Sequence, residues 1–376
     1  MFIKQYKISI RIVPVAFILF LFTPATAPAF PYKDYDISVS GTLSQVYDSN
    51  VDFSKDDKTD NYSSEATITL GLKQEAKRRS LSFAGSINRS IVSDVPRGNE
   101  SLNVRFNHEL SEEMTIKLSD DYYHSKQPYS FTEEFYRRTG RFNIHTNVFG
   151  LNLDRNINKD LFVSVDYTNS LTTGDKKDFS DSKNNIISTS LNYIYSPDKI
   201  VYLSYFIGKS DTEDSPDLTS QGIRAGLSKF ITKRITLSGY FGFGFNRYDN
   251  GREFNSNFVN VLLNSEINMV TNAGLSFYRG RSSFTENDDS GTSEENWRVS
   301  AIVRRNISEK LNGSVEGFYG EHNNNDNLIG ASSTIQYTFN ERLDGNLGFN
   351  YSDSRSLEES REYSRYVISL GLTYVF

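Results

Sequence analysis

The chain contains four histidines and no cysteine, so histidine is the first side chain to consider for metal binding or acid–base chemistry. His108, His124, His145 and His322 lie far apart, and no HxH or HxxxH pair places two imidazoles on one metal ion. A catalytic triad could still assemble from distant strands, but no Asn-His-Ser or Asp-His arrangement supports one. The sequence therefore favours surface or interior histidines, with no cofactor and no enzymatic activity.

Two acidic stretches could supply oxygen ligands to Ca²⁺, a hard cation that binds several oxygens. One runs from Asp48 to Asp60 and the other from Asp211 to Asp217. Neither has the spacing of an EF-hand loop. Connections rich in Asp and Asn are ordinarily solvated, so the sequence favours solvated loops and predicts no metal site.

A larger set of polar residues alternates with apolar ones and could line the inside of a pore. An Arg or Lys facing lipid at the midplane of a barrel costs about 2–4 kcal/mol, so these side chains are expected to point inward. Inside, they could line a hydrated channel or form a salt-bridged network that blocks it. The predicted lumen-lining residues are Arg89, Arg105, Lys117, Asp121, Asp166, Tyr240, Arg298, Arg304, Glu316 and Arg365.

Three aromatic residues could add a second kind of contact to that interior. Tyr202, Phe206 and Tyr240 are predicted on the same inward face. Their rings could stack on sugar rings, or they could only fill space.

The elements that must position these residues are β-strands, because the alternation has a period of two. The clearest segment is Ile235 to Phe245, where Leu237, Phe241 and Phe243 fall on one face. Small and polar residues fall on the other face. We interpret the apolar face as lipid-facing and the polar face as lumenal.

The last segment repeats this pattern and ends on an aromatic residue. Leu370, Leu372 and Tyr374 alternate with smaller residues before Phe376. It resembles the closing strand of a bacterial outer-membrane β-barrel, and Phe376, Tyr374 and Leu372 resemble the signal that the barrel-assembly machinery recognises. The alternative is the last strand of a soluble β-sandwich.

The connections between the strands alternate between short and long along the chain. Short ones occur near Lys77 to Arg79 and Asn340 to Arg342, whereas 49–61 and 125–139 are long and polar. In outer-membrane barrels the short turns face the periplasm and the long loops face outside. The count predicts an all-β, antiparallel up-and-down transmembrane barrel of about 18 strands, with 16 as the second choice.

Composition agrees with this fold class. Aromatic residues make up 14% of the chain but hydrophobic residues only 37%, too few for a protein of apolar transmembrane helices. Lys4, Lys7 and Arg11 precede a short apolar run, and Ala27-Pro28-Ala29 offers a cleavage site, as in a secretory signal peptide. We predict cleavage after Ala29, with a retained signal anchor as the alternative, and one barrel domain over 30–376. The net charge of −6 argues against a nucleic-acid partner.

The first hairpin carries a moderately specific motif. Tyr47-Asp-Ser-Asn-Val51, an acidic loop and Asn61-Tyr-Ser-Ser resemble the opening of the β-barrel porin 2 family. That resemblance implies a barrel in the outer membrane, with lipid and the assembly machinery as partners. Members of such families often lie beside exopolysaccharide genes, which implies a role in polymer export and polysaccharide as a partner.

Together these observations predict a passive, water-filled channel for polar solutes or saccharides. A non-conducting structural or surface-binding barrel is the alternative, and an enzyme such as a lipase or protease is a third. The sequence leaves the oligomeric state open.

Overall fold

The computed structural model describes residues 35–93, 98–125, 143–175, 181–213, 215–282, 294–322, 326–356 and 362–376. The predicted leader over 1–29 lies outside these residues, as does most of the predicted 125–139 loop. The described residues form 18 strands, which answers the choice between 18 and 16. In the part of the chain that the structure describes, no helix is long and apolar enough to cross a bilayer.

The strands follow one another along the chain in a single antiparallel sheet. They are β1 (Tyr35–Asp48), β2 (Asn61–Ala76), β3 (Arg79–Ser93), β4 (Gly98–Ser111), β5 (Met114–Ser125), β6 (Ile144–Asn156), β7 (Leu161–Gly174), β8 (Ser182–Ser196), β9 (Lys199–Thr212), β10 (Ser215–Thr232), β11 (Ile235–Tyr248), β12 (Glu253–Asn268), β13 (Thr271–Ser282), β14 (Glu294–Asn306), β15 (Leu311–His322), β16 (Asp326–Asn340), β17 (Leu343–Arg355) and β18 (Tyr363–Val375).

The sheet closes into a barrel because its last strand pairs with its first. Ser40 lies opposite Val375 and Asp48 opposite Val367, and the pairing is antiparallel. Closure leaves no edge of unpaired N–H and C=O groups, the requirement for a sheet in lipid. The predicted closing role of the last strand is confirmed.

The strands are longer than the 9–11 residues that cross the apolar layer. β5 has 12 residues and β10 has 18. The hairpin of β9 and β10 shows why, since Ser210 pairs with Leu218 on either side of the acidic stretch Asp211 to Asp217, which was expected to be a solvated loop. On its outer side Lys209 bridges Asp211 (3.0 Å) and Asp217 (2.8 Å). Charges that pair across a hairpin let the sheet extend into the polar zone beyond the apolar belt.

The short turns, which define what we call the short-turn end of the barrel, use side-chain oxygens to replace missing backbone acceptors. Asn268 Oδ1 accepts the Val270 N–H at 3.0 Å, and Asn340 Oδ1 accepts the Arg342 N–H at 2.9 Å. Such Asx turns mimic a backbone turn at low steric cost. The opposite end, which carries the long connections, we call the long-loop end.

Candidate functional site on the inner wall

Strand register separates an outer wall from an inner wall. On β1, Ile37 and Leu43 are 65% and 64% exposed and alternate with Thr42, whose hydroxyl lies 2.8 Å from that of Thr373 on β18. Large apolar side chains cannot face water in such numbers at low cost, so their face is the lipid side. The residues of the other parity therefore form the inner wall.

All but one of the predicted lumenal residues lie on the inner-wall face of their strands. Cross-strand pairing places each of them on the face opposite to the exposed apolar residues. These residues are Arg105, Lys117, Asp121, Asp166, Tyr240, Arg298, Arg304, Glu316 and Arg365.

The expectation for Arg89 was wrong. Arg89 shares its face with Ile87 and Ile91, which are 56% and 63% exposed on the outer wall. It lies four residues before the end of β3 and forms an ion pair with Glu100 of β4. An outward arginine is tolerable there because the pair lies toward the long-loop end, away from the midplane where the cost is greatest.

The inner wall of β4 to β7 carries a network of charged and polar side chains. Arg105 Nη2 lies 2.7 Å from both carboxylate oxygens of Asp121. Lys117 Nζ donates to Asp154 at 2.7 Å, and Asn152 Nδ2 donates to Asp166 at 2.8 Å. Arg105, Lys117, Asn152 and Asp166 also help line a recess of about 440 Å³. Opposite charges therefore alternate along this wall and stay in contact with solvent.

The inner wall of β9 to β12 is aromatic instead. The rings of Phe206 and Phe258 are 5.8 Å apart, and those of Tyr240 and Phe258 are 6.2 Å apart. Gly222 and Gly242 lie beneath the Phe206 and Phe258 rings, where a Cβ atom would collide with them. The glycines let these rings lie along the wall. Phe258 was not among the predicted inward residues, although its position alternates with the outward positions of Val259 and Val261.

The first long connection is fixed against the inner wall, which sequence reasoning missed. Arg365 donates to Asp48 from Nε (3.0 Å) and Nη2 (2.8 Å), with the two side chains 9% and 0% exposed. The Asn50 side chain donates to the carbonyls of Ser54 (2.7 Å) and Ser364 (3.1 Å). The motif Tyr47 to Val51 thus ties the loop to β18, and the expectation of a solvated tip was wrong for Asp48 and Asn50.

Phe53 completes this attachment. It is 2% exposed and packs with Phe318, Leu328 and Tyr363, all inner-wall residues. Its ring meets that of Tyr363 edge-on at 5.2 Å, and it has a positive φ of 54°. A bulky residue in this conformation is uncommon and persists where packing compensates for the strain. The loop therefore turns inward and narrows the long-loop end.

Two of the four histidines come together in a place that their spacing in the sequence did not reveal. His124 of β5 and His145 of β6 are opposite each other, with parallel rings 4.1 Å apart on the outer wall. His124 Nδ1 lies 3.7 Å from a carboxylate oxygen of Glu100. Among the residues that the structure describes, no three His, Asp or Glu side chains are grouped to hold a metal ion.

The residues of the expected assembly signal form an outward stripe along the end of β18 and the residue that follows it. Leu372 and Tyr374 are 51% and 40% exposed, and Phe376 is 77% exposed. The Phe376 N–H donates to the Val39 carbonyl at 3.0 Å, and its ring meets Tyr374 edge-on at 5.1 Å. These side chains lie on the lipid side of the closure.

No family model matches the chain, and no curated protein matches it either. Its structure is similar to OccAB4 of Acinetobacter baumannii, with a TM-score of 0.50 and 12% identity over 92% of this chain and 99% of that one. It also matches two proteins of Pseudomonas aeruginosa at 12% identity. OpdO has a TM-score of 0.49 over 92% and 97% of the two chains, and the outer membrane protein OpdK has 0.47 over 91% and 99%. The likeness to OccAB4 shows a shared fold, the closed antiparallel β-barrel.

Proposed function

We propose that this protein is an outer-membrane channel through which polar solutes diffuse passively. The observation that supports it best is the charged inner wall of the closed barrel. Arg105 and Asp121 are 49% and 35% exposed on a face that the strands separate from lipid. Exposed charges inside a barrel require water around them, and barrels of 16–18 strands are wide enough to enclose an aqueous channel.

Selectivity in this proposal comes from two features of the interior. The β4 to β7 wall presents both signs of charge, which favours polar solutes and tunes which ions pass. The first loop, held by Asp48 and Phe53, reduces the open cross-section at the long-loop end. A solute that enters from the long-loop end would therefore meet the narrowed entrance before it reached the charged wall.

We further propose that saccharides are among the permeants and that the channel belongs with exopolysaccharide export. The resemblance of the first hairpin to the β-barrel porin 2 family supports this, as do the inner-wall rings of Tyr202, Phe206 and Tyr240. No enzymatic role is proposed.

Biogenesis follows the same proposal. Residues 1–29 would act as a signal peptide that is removed after Ala29, and 30–376 would fold as one barrel in lipid. The stripe of Leu372, Tyr374 and Phe376 would be recognised by the barrel-assembly machinery. The basic residues and apolar run of the leader support the first step, and the exposure of the stripe supports the last.

A non-conducting, surface-binding barrel is the second candidate. The inward first loop is the observation that favours it, because Val51 and Phe53 are 0% and 2% exposed within the mouth. If the other long connections also turned inward, the lumen would be closed.

Single-channel recording distinguishes the two candidates. The full chain would be expressed in a Gram-negative host, purified from outer membranes and inserted into planar bilayers. We expect stable steps of open conductance, with ion selectivity altered by Arg298→Gln. A heat-resistant barrel that inserts but passes no current would exclude the channel and favour the surface-binding barrel.

A further inference from the structure

We infer that the inner wall of β9 to β12 carries a binding subsite for an acidic saccharide unit, with Arg224 as its anion-binding residue. The inference deepens the proposed channel function and rests on it for its biological meaning. Arg224 lies near the middle of β10, with the parity of Gly222 and Gly226 on the inner wall. Three observations among the described residues carry the inference: Arg224 has no ion-pair partner, its Nε donor has no acceptor, and aromatic rings surround its guanidinium group.

Arg224 has few charged neighbours on this part of the inner wall. In the described part of β9 to β12, the other charged side chain with inner-wall parity is Glu266, at the short-turn end of β12. Arg105, Lys117 and Arg365 elsewhere on the wall each pair with a carboxylate. Among the described residues, Arg224 has no such partner. Its Nε atom is buried and donates to no described acceptor.

Aromatic rings surround the guanidinium group. Its central carbon lies 4.5 Å from the ring centroid of Phe206, 5.4 Å from that of Phe258 and 5.7 Å from that of Tyr240. These cation–π contacts stabilise the charge and fix its position. They do not use the five N–H donors, which form a planar fork suited to a carboxylate.

The rings also define what kind of anion fits. Phe206 and Phe258 lie along the wall over Gly222 and Gly242, so they offer apolar surface close to the guanidinium group. The C–H face of a pyranose ring packs well on such a surface. A sugar carrying a carboxylate, a uronic acid, would satisfy both features at once. A neutral sugar would lack the partner for Arg224, and a small carboxylate would lack the contact with the rings.

Weak binding near the middle of the barrel wall suits a channel. A mid-barrel site must bind a permeant well enough to attract it and release it readily. One bidentate contact and one stacking surface meet this requirement, and successive sugar units of a chain could occupy the site in turn.

Current blockade by a short uronic-acid chain tests the inference. Trigalacturonate and the neutral galactose trimer would be added to wild-type channels, with acetate as the ring-free anion. We expect trigalacturonate to interrupt the current at concentrations at least tenfold lower than either control. Arg224→Gln should weaken this blockade about tenfold or more, and Arg224→Lys, which keeps the charge but loses the fork, should fall between. Phe206→Ala with Phe258→Ala should weaken it as well.

Arg304→Gln is the matched control, because it removes the same charge from the inner wall away from the aromatic rings. It should retain the blockade. Equal blockade by the charged and neutral trimers, or an Arg224→Gln channel that is blocked like wild type, would overturn the subsite.

Calorimetric binding of trigalacturonate to the protein in detergent separates this inference from the channel itself. If the protein binds trigalacturonate through Arg224 but passes no current, the channel function is excluded and the subsite is supported. A conducting protein that binds neither trimer selectively would keep the channel and remove the subsite. Heat-modifiable migration of each variant would show that it is folded.

Discussion

Arg365 and Asp48 form a two-point ion pair across the closure of the barrel, although 317 residues separate them in the chain. Asp48 is the last residue of β1 and lies opposite Val367 of β18. Arg365 lies two residues before Val367 on the same strand. The same arginine lies 4.5 Å from the centre of the Phe53 ring. One side chain therefore joins the first strand, the last strand and the first loop.

Breaking this ion pair should destabilise the barrel strongly. Asp48→Asn would leave Arg365 buried without its counter-charge, a change that costs about 3–5 kcal/mol for buried pairs. Urea unfolding in detergent would measure it. Arg247→Gln breaks an exposed pair with Glu253 (71% and 68% exposed) and should have little effect. A change for Asp48→Asn no larger than that of the control would contradict the closure role.

Removing the Phe53 ring should release the first loop. Truncating a buried Phe to Ala costs about 3–5 kcal/mol of packing, and here the loss falls on the attachment of the loop. We expect trypsin to cut Phe53→Ala faster than wild type at Lys55 and Lys58 in intact barrels, and open conductance to rise. Phe339→Ala on the outer wall is the control. Unchanged cleavage would show that Asp48 and Asn50 hold the loop without Phe53.

Neutralising Arg105 and neutralising Asp121 should shift ion selectivity in opposite directions. Arg105→Gln leaves an unpaired carboxylate on the inner wall and should favour cations, whereas Asp121→Asn leaves an unpaired guanidinium and should favour anions. Because half-exposed pairs contribute only about 0–1 kcal/mol to folding, both variants should fold. The reversal potential in a salt gradient measures the effect. No shift for either variant, or shifts of the same sign, would contradict this role of the two charges in ion selectivity.

A lysine scan of two adjacent positions should reveal the two walls. Ile335 faces outward on β16 and is 46% exposed, and Thr334 faces inward. Ile335→Lys should destabilise the barrel in lipid vesicles by up to about 2–4 kcal/mol, and Thr334→Lys by much less, because only the first places a charge in lipid. Equilibrium unfolding in vesicles gives both values. Equal losses would contradict the assignment of the walls.

Shortening the apolar stripe of β18 should slow assembly. Phe376→Ala removes an exposed ring that contacts Tyr374, without changing the strand pairing. We expect less folded protein in the outer membrane and an unchanged unfolding temperature for the protein that does fold. Ser369→Ala, on the inner side of the same strand, is the control. Normal levels of Phe376→Ala would exclude the ring as part of an assembly signal.

The amino-acid sequence by itself predicted the strands, most of their orientation and a count of about 18, with 16 as the second choice. Lipid outside and water inside impose a period of two on every strand. The alternation of Leu237, Phe241 and Phe243 was therefore enough to predict that they face lipid. The same rule places Arg89 on the outer wall, because Arg89 alternates in step with Ile87 and Ile91. It also places Arg224 on the inner wall, in step with Gly222 and Gly226. These properties are local, because each depends on a residue and its neighbours along one strand.

Only the tertiary structure decided what the residues on each wall contact. His124 meets His145, and Phe206 meets Phe258, because register across strands sets those pairs, and register depends on hydrogen bonds between distant segments. The inward first loop depends on contacts of Asp48 and Phe53 with β15, β16 and β18, far along the chain. Alternation shows which wall a side chain faces, but the closed barrel determines which side chains share a place on that wall.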